Sequence, residues 1–242
     1  MRKQFVKVEN FRKLAVAAES LAGYQSIERM GLAYGMTGLG KTTSVAFLIN
    51  HTDGFYLRAR RSWTPTAMLR EICYELFIDP TYTSDSMVKL IVAELTQKQR
   101  TFFVDEADYL FCQENRKLLD LLRDIHDLSN NPIMLIGMED IERKLSRYPQ
   151  LSRRITHFVQ FKPISLEDAK LINKINCQVR IDDDLLNSIY LDAKGNTGQL
   201  TVGIASVEKY AIEHGWEQIN ASMWGERPFF LRPRKRKHEG DF

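Results

Sequence analysis

The sequence predicts an α/β fold: a parallel sheet flanked by helices, followed by a small all-helical domain. Three observations carry this. Short, wholly apolar segments such as Phe102–Val104 and Ile133–Ile136 alternate with stretches of helical period, the pattern of buried parallel strands covered on both faces. A glycine-rich stretch, Gly35 to Thr42, lies between one such apolar segment and a helix. After Pro163 the strand pattern stops and only helical spacing continues. A length of 242 residues accommodates one medium domain plus a small one, and 44% apolar with 27% charged residues marks a globular chain.

In chain order, Phe11, Leu14, Ala15, Ala18, Leu21 and Ala22 fall at helical spacing, with Asn10 as N-cap. Arg29–Tyr34 is a short apolar strand, and Thr43–Asn50 begins a buried helix after the glycine-rich stretch. Asp53-Gly54 turns the chain into a second strand, Phe55–Leu57, which runs into Arg58-Ala59-Arg60-Arg61-Ser62-Trp63. Thr64-Pro65 starts a helix reaching about Phe77, with Thr as cap and Pro in the first turn. Asp85–Gln97 is helical, Thr101–Val104 a strand, Asn115–Leu128 helical and ended by Asn130-Asn131-Pro132. Ile133–Ile136 and Ile155–Phe161 complete the strands. Ser165-Leu166-Glu167-Asp168 resembles a capping box and opens helices at about 165–176, 182–194 and 199–213. The expected division is an α/β domain over 1–162, a helical domain over 163–222 and a basic tail over 223–242.

Net charge is +3 and uneven. From Arg227 onward, six basic residues and two acidic ones give +4, which leaves −1 for residues 1–226. Affinity of the body for a polyanion must therefore come from local patches. Cys73, Cys112 and Cys177 have no metal-like spacing and read as reduced structural thiols of a cytoplasmic protein. No apolar run follows the basic start, so no signal peptide is expected, and no stretch is long enough to span a membrane.

The chemistry sits in two motifs. Gly35-Met36-Thr37-Gly38-Leu39-Gly40-Lys41-Thr42 matches G-x-x-x-x-G-K-[ST] at every fixed position, in the strand–loop–helix context that the motif needs. Glycines let backbone N–H groups turn inward around phosphates, and the helix N-terminus adds partial positive charge. Lys41 is the candidate contact to the β- and γ-phosphates of ATP and Thr42 a ligand for Mg²⁺, with Thr43 beside it. Sixty residues on, Phe102-Phe103-Val104-Asp105-Glu106 is an apolar strand ending in two carboxylates. Asp105 is the candidate Mg²⁺ ligand and Glu106 the candidate base for the attacking water. Together they predict an ATPase.

Val104-Asp105-Glu106-Ala107-Asp108, Leu135-Ile136-Gly137, Gln150-Leu151-x-x-Arg154-Ile155 and Gly195-x-x-Gly198-Gln199-Leu200 carry a resemblance to the AAA+ ATPases. Within these the chain looks like the transposition target-selection ATPases, the group of phage Mu transposition protein B. The resemblance covers about residues 25–215. It implies an arginine finger at Arg154, or at the adjacent Arg153, reaching a neighbouring subunit's γ-phosphate. It implies a lid contact at Gln199, where many AAA+ proteins place arginine. It also places Phe5 to Phe11 near the adenine. Gly137-Met138 stands where a polar side chain commonly senses the γ-phosphate, with Glu139 the nearest polar residue. Both departures imply slow hydrolysis, a switch rather than a motor. The phosphate loop is reached by Gly35, so no separate N-terminal DNA-binding module is expected before it. The implied partners are double-stranded DNA, a transposase and further copies of the chain in a ring or filament. Arg58, Arg60 and Arg61, beside Trp63, are the candidate DNA contacts, with the tail Arg232–Lys237 as a second one; a solvated loop whose arginines pair with acidic groups is the alternative for the first cluster. Two other readings stay open: a replication-initiator or helicase-loader ATPase, and a nucleotide-gated signalling or defence scaffold.

Overall fold

The computed structural model describes residues 4–23, 28–112 and 116–230. These form two compact units, residues 7–162, and residues 163–230 joined by 4–6. The second unit takes up the chain at Pro163, and residues 4–6 group with it rather than with the sheet. Gln4 N donates to Asn176 Oδ1 there at 2.7 Å.

In the larger unit, α1 (Glu9–Ala22) precedes β1 (Met30–Gly35), α2 (Lys41–Ile49), β2 (Phe55–Arg58), α3 (Pro65–Glu75) and α4 (Ser84–Gln97). Then come β3 (Phe102–Asp105), a 3₁₀ turn (Ala107–Phe111), α5 (Arg116–Ser129), β4 (Ile133–Gly137), α6 (Ile141–Leu145), α7 (Pro149–Ser152) and β5 (Ile155–Phe161). The five strands form one parallel sheet in the order β2-β3-β4-β1-β5. Phe102, Phe103, Val104 and Ile133 to Ile136 are fully buried. That is why their segments read as continuous apolar runs instead of alternating.

Local chemistry sets the helix ends. Thr64 caps α3 by accepting from Ala67 N at 3.2 Å, with Pro65 in the first turn. The helix stops at Glu75, short of the expected Phe77, which takes a left-handed φ of 59°. Asn10 is not the cap of α1, whose N-cap is Val8. It lies in the first turn, and its side-chain amide holds both Lys162 O (2.7 Å) and Lys162 N (3.1 Å).

The second unit holds α8 (Leu166–Asn176), β6 (Arg180–Ile181), α9 (Asp183–Ala193), α10 (Thr197–Glu213), β7 (Gln218–Ile219) and α11 (Ala221–Trp224). Ser165 caps α8 by accepting from Asp168 N. The expected all-helical domain therefore also contains a parallel pair, β6–β7. Two residues per strand are too few to leave an alternation in the sequence. Burial pushes the Cys177 thiol up to about 11 and raises Cys73 as well, so neither is a poised nucleophile. Among the described residues no helix is long and apolar enough to cross a membrane. The tail Arg232–Lys237 lies outside the described residues.

Candidate functional site

The site lies at the carboxyl ends of β1, β3 and β4, the edge where open α/β sheets bind ligands. Gly35 closes β1 against β5: a Cβ there would stand 2.5 Å from Phe161 O. Gly40, at φ 88°, is the N-cap of α2, a left-handed position that favours glycine. From this turn Met36, Thr37 and Gly38 stand exposed while Leu39 is buried and anchors the loop. Lys41 folds back over the loop, its Nζ donating to Gly35 O (2.5 Å) and Met36 O (2.9 Å). Burial lowers its pKa, opposed by Asp105, Asp108, Glu106 and Glu139. Thr43 is exposed on the first turn of α2.

Asp105 ends β3 at 4% exposure and is held from three sides. Thr42 Oγ1 (2.7 Å) and the Tyr56 hydroxyl (3.1 Å) donate to Oδ2, and Glu106 N (2.8 Å) donates to Oδ1. Burial, then the Asp105 charge, pushes the Tyr56 phenol up to about 12, so it stays a donor. Glu106 takes a left-handed φ of 54°, rare for a residue with a side chain. Its carboxylate meets Arg58, with Nη2 3.3 Å from Oε1.

Sequence reasoning missed Tyr56 and Asp108 as site residues. Tyr56 was legible only as the polar member of the Phe55-Tyr56-Leu57 alternation. Asp108 accepts from Met138 N (2.7 Å) and from Lys144 Nζ (2.8 Å), tying the end of β4 to the segment after β3. A pocket of about 200 Å³ lies between Thr37–Thr43, the two carboxylates and Gly137-Met138.

These residues fit a nucleotide phosphate with Mg²⁺. The cradle is open at Gly40, where a Cβ would meet nothing within 4 Å. The hydroxyl of Thr42 and the carboxylate of Asp105 converge, as two oxygen ligands of one small cation must. Among the described residues no group of three or more His, Cys, Asp or Glu side chains could hold a metal alone.

The arginines divide differently from expectation. Arg154 is buried, at 8% exposure. Its Nε donates to Asp127 Oδ1 at 2.6 Å, its Nη2 to Asp127 Oδ2, and its Nη1 to Gln150 O. The Asp127 hydrogen bonds raise its pKa further. The Arg154 guanidinium is thus engaged within its own chain. Arg153 is exposed. In the other cluster Arg58 pairs with Glu106 and Arg60 with Glu71 (3.3 Å), while Arg61 is exposed. Trp63 is not a surface aromatic beside them. It is buried and donates its Nε1 to Glu71 Oε1 at 3.1 Å. Gln199 lies exposed in the first turn of α10, its N bonded to the cap Asn196 Oδ1. Phe11 packs edge-on against Phe47 of α2.

The AAA domain family profile matches residues 25–145, half of the chain. A Staphylococcus aureus protein described as a potential ATP-binding protein is 23% identical over 255 residues, covering 90% of this chain and 93% of its own. Among solved structures, the fold is similar to Orc1 of Aeropyrum pernix in complex with DNA (TM-score 0.62, 18% identity, 88% of this chain and 62% of that one). It is similar to Cdc6p of Pyrobaculum aerophilum (0.64, 16%, 87% and 63%) and to a Walker-type ATPase of Pyrococcus abyssi (0.62, 22%, 89% and 70%). The chain spans less than two thirds of the Orc1 and Cdc6p chains, and at these identities the likeness is one of fold. With its phosphate loop and paired carboxylates inside the matched segment, the chain belongs to the AAA domain family.

Proposed function

We propose that the protein is an ATPase that binds duplex DNA in its ATP-bound, oligomeric state. The observation carrying the ATPase reading is the convergence of Lys41, Thr42, Asp105 and Glu106 on one pocket. Lys41 would trade its loop carbonyls for β- and γ-phosphate oxygens. Thr42 and Asp105 would hold Mg²⁺, with Tyr56 fixing the carboxylate. When bound, that ion supplies positive charge to the phosphate oxygens. Glu106 would take the proton from the attacking water. Arg153 would be the finger offered to a neighbouring subunit, because Arg154 is occupied.

Arg58 connects this chemistry to DNA. Only its Nη2 meets Glu106, at 3.3 Å and exposed, so a DNA phosphate competing for the guanidinium would loosen its hold on the base. DNA-stimulated hydrolysis follows. The client is proposed to be a transposase, on the sequence resemblance alone. A replication-initiator or loader role is the second reading, favoured by the fold likeness to Orc1, which was solved on DNA. Strand-transfer and helicase-loading assays with purified clients separate the two.

The DNA reading is tested by fluorescence anisotropy on unrelated duplexes over a salt series, with ATP, ADP and no nucleotide. Each phosphate neutralised contributes about −0.9 to the slope of log affinity against log salt. Replacing Arg60 and Arg61 by Ala should flatten that slope equally on all sequences. Equal affinity in the three nucleotide states would overturn the gating.

A further inference from the structure

We infer that β5 and α1 form a docking groove for an extended, acidic segment of a partner protein, which adds to the sheet as a sixth strand. The strand β5 is the sheet's edge, paired only with β1 among the described residues. At seven residues it is the longest strand. Natural edges are blunted by lysine, proline, bulges or cover, because their free N–H and C=O groups template another strand. Ile155–Phe161 contains neither lysine nor proline, and its one irregularity, the skipping of Thr156 in the pairing with β1, lies at the strand's start and leaves His157–Phe161 in regular register.

The helix α1 runs antiparallel to this edge. Asn10 bonds the backbone of Lys162 at one end, as a neighbouring strand would, and Ser20 Oγ meets His157 Nε2 (3.0 Å) at the other. Between them runs a groove of about 750 Å³. Ten residues of helix give it a length of roughly 15 Å, room for four or five extended residues. Val16 (66% exposed) and Phe158 (48%) offer it apolar surface. Its charged lining is Arg12, Lys13 and Lys162, with no carboxylate. Glu9 pairs with Lys13 at 2.6 Å and its charge also reaches Arg12 and Lys162, one carboxylate against three cations. The excess is cationic, and the open strand edge asks for peptide backbone rather than for phosphates. A segment alternating acidic and apolar residues satisfies ladder, floor and rim together.

The probes are a fluorescein-labelled octapeptide (Glu-Val)₄, its (Lys-Val)₄ counterpart, the acidic peptide N-methylated at alternate residues, and a 12-nucleotide DNA strand and duplex. Binding is read by anisotropy and by hydrogen exchange of the β5 amides in the full chain. The acidic peptide is expected to bind about five- to tenfold tighter than the basic one, the worth of two rim ion pairs, and to slow exchange in residues 155–161. N-methylation should remove both effects. The double variant Arg12→Glu/Lys162→Glu, checked for an unchanged melting curve, should reverse the preference. Phe158→Asp weakens both peptides and provides a second variant if the first is misfolded. The inference is overturned if the acidic peptide leaves β5 exchange unchanged. It is overturned equally if only DNA protects the groove, or if sedimentation shows the edge already occupied by a second copy and freed by Phe158→Asp.

Discussion

Arg154→Ala, set beside Arg153→Ala, tests whether the arginine held by Asp127 is structural and its exposed neighbour the proposed finger. The substitution strips Asp127 of both guanidinium donors and leaves its charge behind. Deleting one partner of a buried pair costs about 3–5 kcal/mol. The Asp127 side chain is 35% exposed, so water recovers part of this, and ~2–3 kcal/mol is the expected loss. At roughly 2–4 °C per kcal/mol for a chain of this size, the midpoint falls by about 4–12 °C. The pH dependence has a definite sign. Burial pushes the Asp127 carboxyl up, but hydrogen bonds and charge from Arg154 outweigh it and hold the pKa below the ordinary value. A depressed carboxylate stabilises the fold above its unfolded pKa of about 3.9, and that contribution is lost as pH falls through the folded value. The gap in Tm between wild type and variant should be full at pH 7, begin to narrow as pH approaches the unfolded value of about 3.9, and close once pH falls below the depressed folded value. Arg153→Ala should leave Tm within ~2 °C, retain ATP affinity and lose hydrolysis. Mixing it with Glu106→Gln should regain turnover, since some interfaces then combine an intact base with an intact finger. Calorimetry and phosphate release on both variants and their mixtures decide it. An Arg154→Ala protein that melts like wild type, is inactive, and is rescued by mixing would refute the reasoning.

Three further outcomes follow from the site. Lys41→Ala should abolish ATP binding in titration calorimetry, because the charge on the β- and γ-phosphates is gone; unchanged affinity would remove Lys41 from the site. Glu106→Gln should still bind ATP with Mg²⁺ but turn over ~10²–10⁴-fold more slowly, the usual contribution of a positioned base; near-normal single-turnover rates would assign the base elsewhere. Arg58→Ala should leave Tm unchanged, as its partner contact is exposed, while raising DNA-free hydrolysis and abolishing DNA stimulation. A stimulation ratio equal to wild type's would disconnect Arg58 from Glu106.

Much of the fold was legible because parallel strands buried on both faces leave apolar runs, and Gly35–Thr42 and Val104–Glu106 fix where two of them end. The phosphate loop and its carboxylates were legible for the same reason: a local backbone requirement writes itself into local sequence. The state of the arginines was not. Arg153 and Arg154 are neighbours of one type, and only the placement of Asp127, 27 residues earlier, decides which is buried. Trp63 was legible as an aromatic beside arginines, but not that α3 would bring Glu71 to accept from its indole Nε1. Asn10 looked like a cap because it precedes an apolar period, but its partner Lys162 lies 152 residues away. In each case a partner outside the local window, from eight residues away for Trp63 to 152 for Asn10, decides what the side chain does.

The missing polar side chain after β4 has a physical consequence. Met138 offers a thioether, and its Sδ meets the Thr37 hydroxyl at 3.5 Å. The polar group that organises this corner is Asp108, which holds Met138 N and Lys144 Nζ. A Cβ at Gly137 would stand 2.7 Å from Asp108 Oδ2, so the carboxylate occupies the space beside the strand end. Burial lowers the pKa of Lys144, but hydrogen bonds and charge from Asp108 and Asp140 more than offset this and raise it, so its cation is committed to those carboxylates. The corner thus lines the pocket with Gly137 and Met138, where a γ-phosphate sensor would present a donor, and Asp108 is spent on Met138 N and Lys144. Removing one well-placed donor to a developing charge costs ~10²–10³ in rate. With Gln199 supplying no charge from its own unit, hydrolysis is expected to be slow, while ATP binding still draws on the loop, Lys41 and Thr42. Under the proposed function, tight binding with slow hydrolysis would hold the ATP state long enough for an assembly on DNA to form before turnover dissolves it.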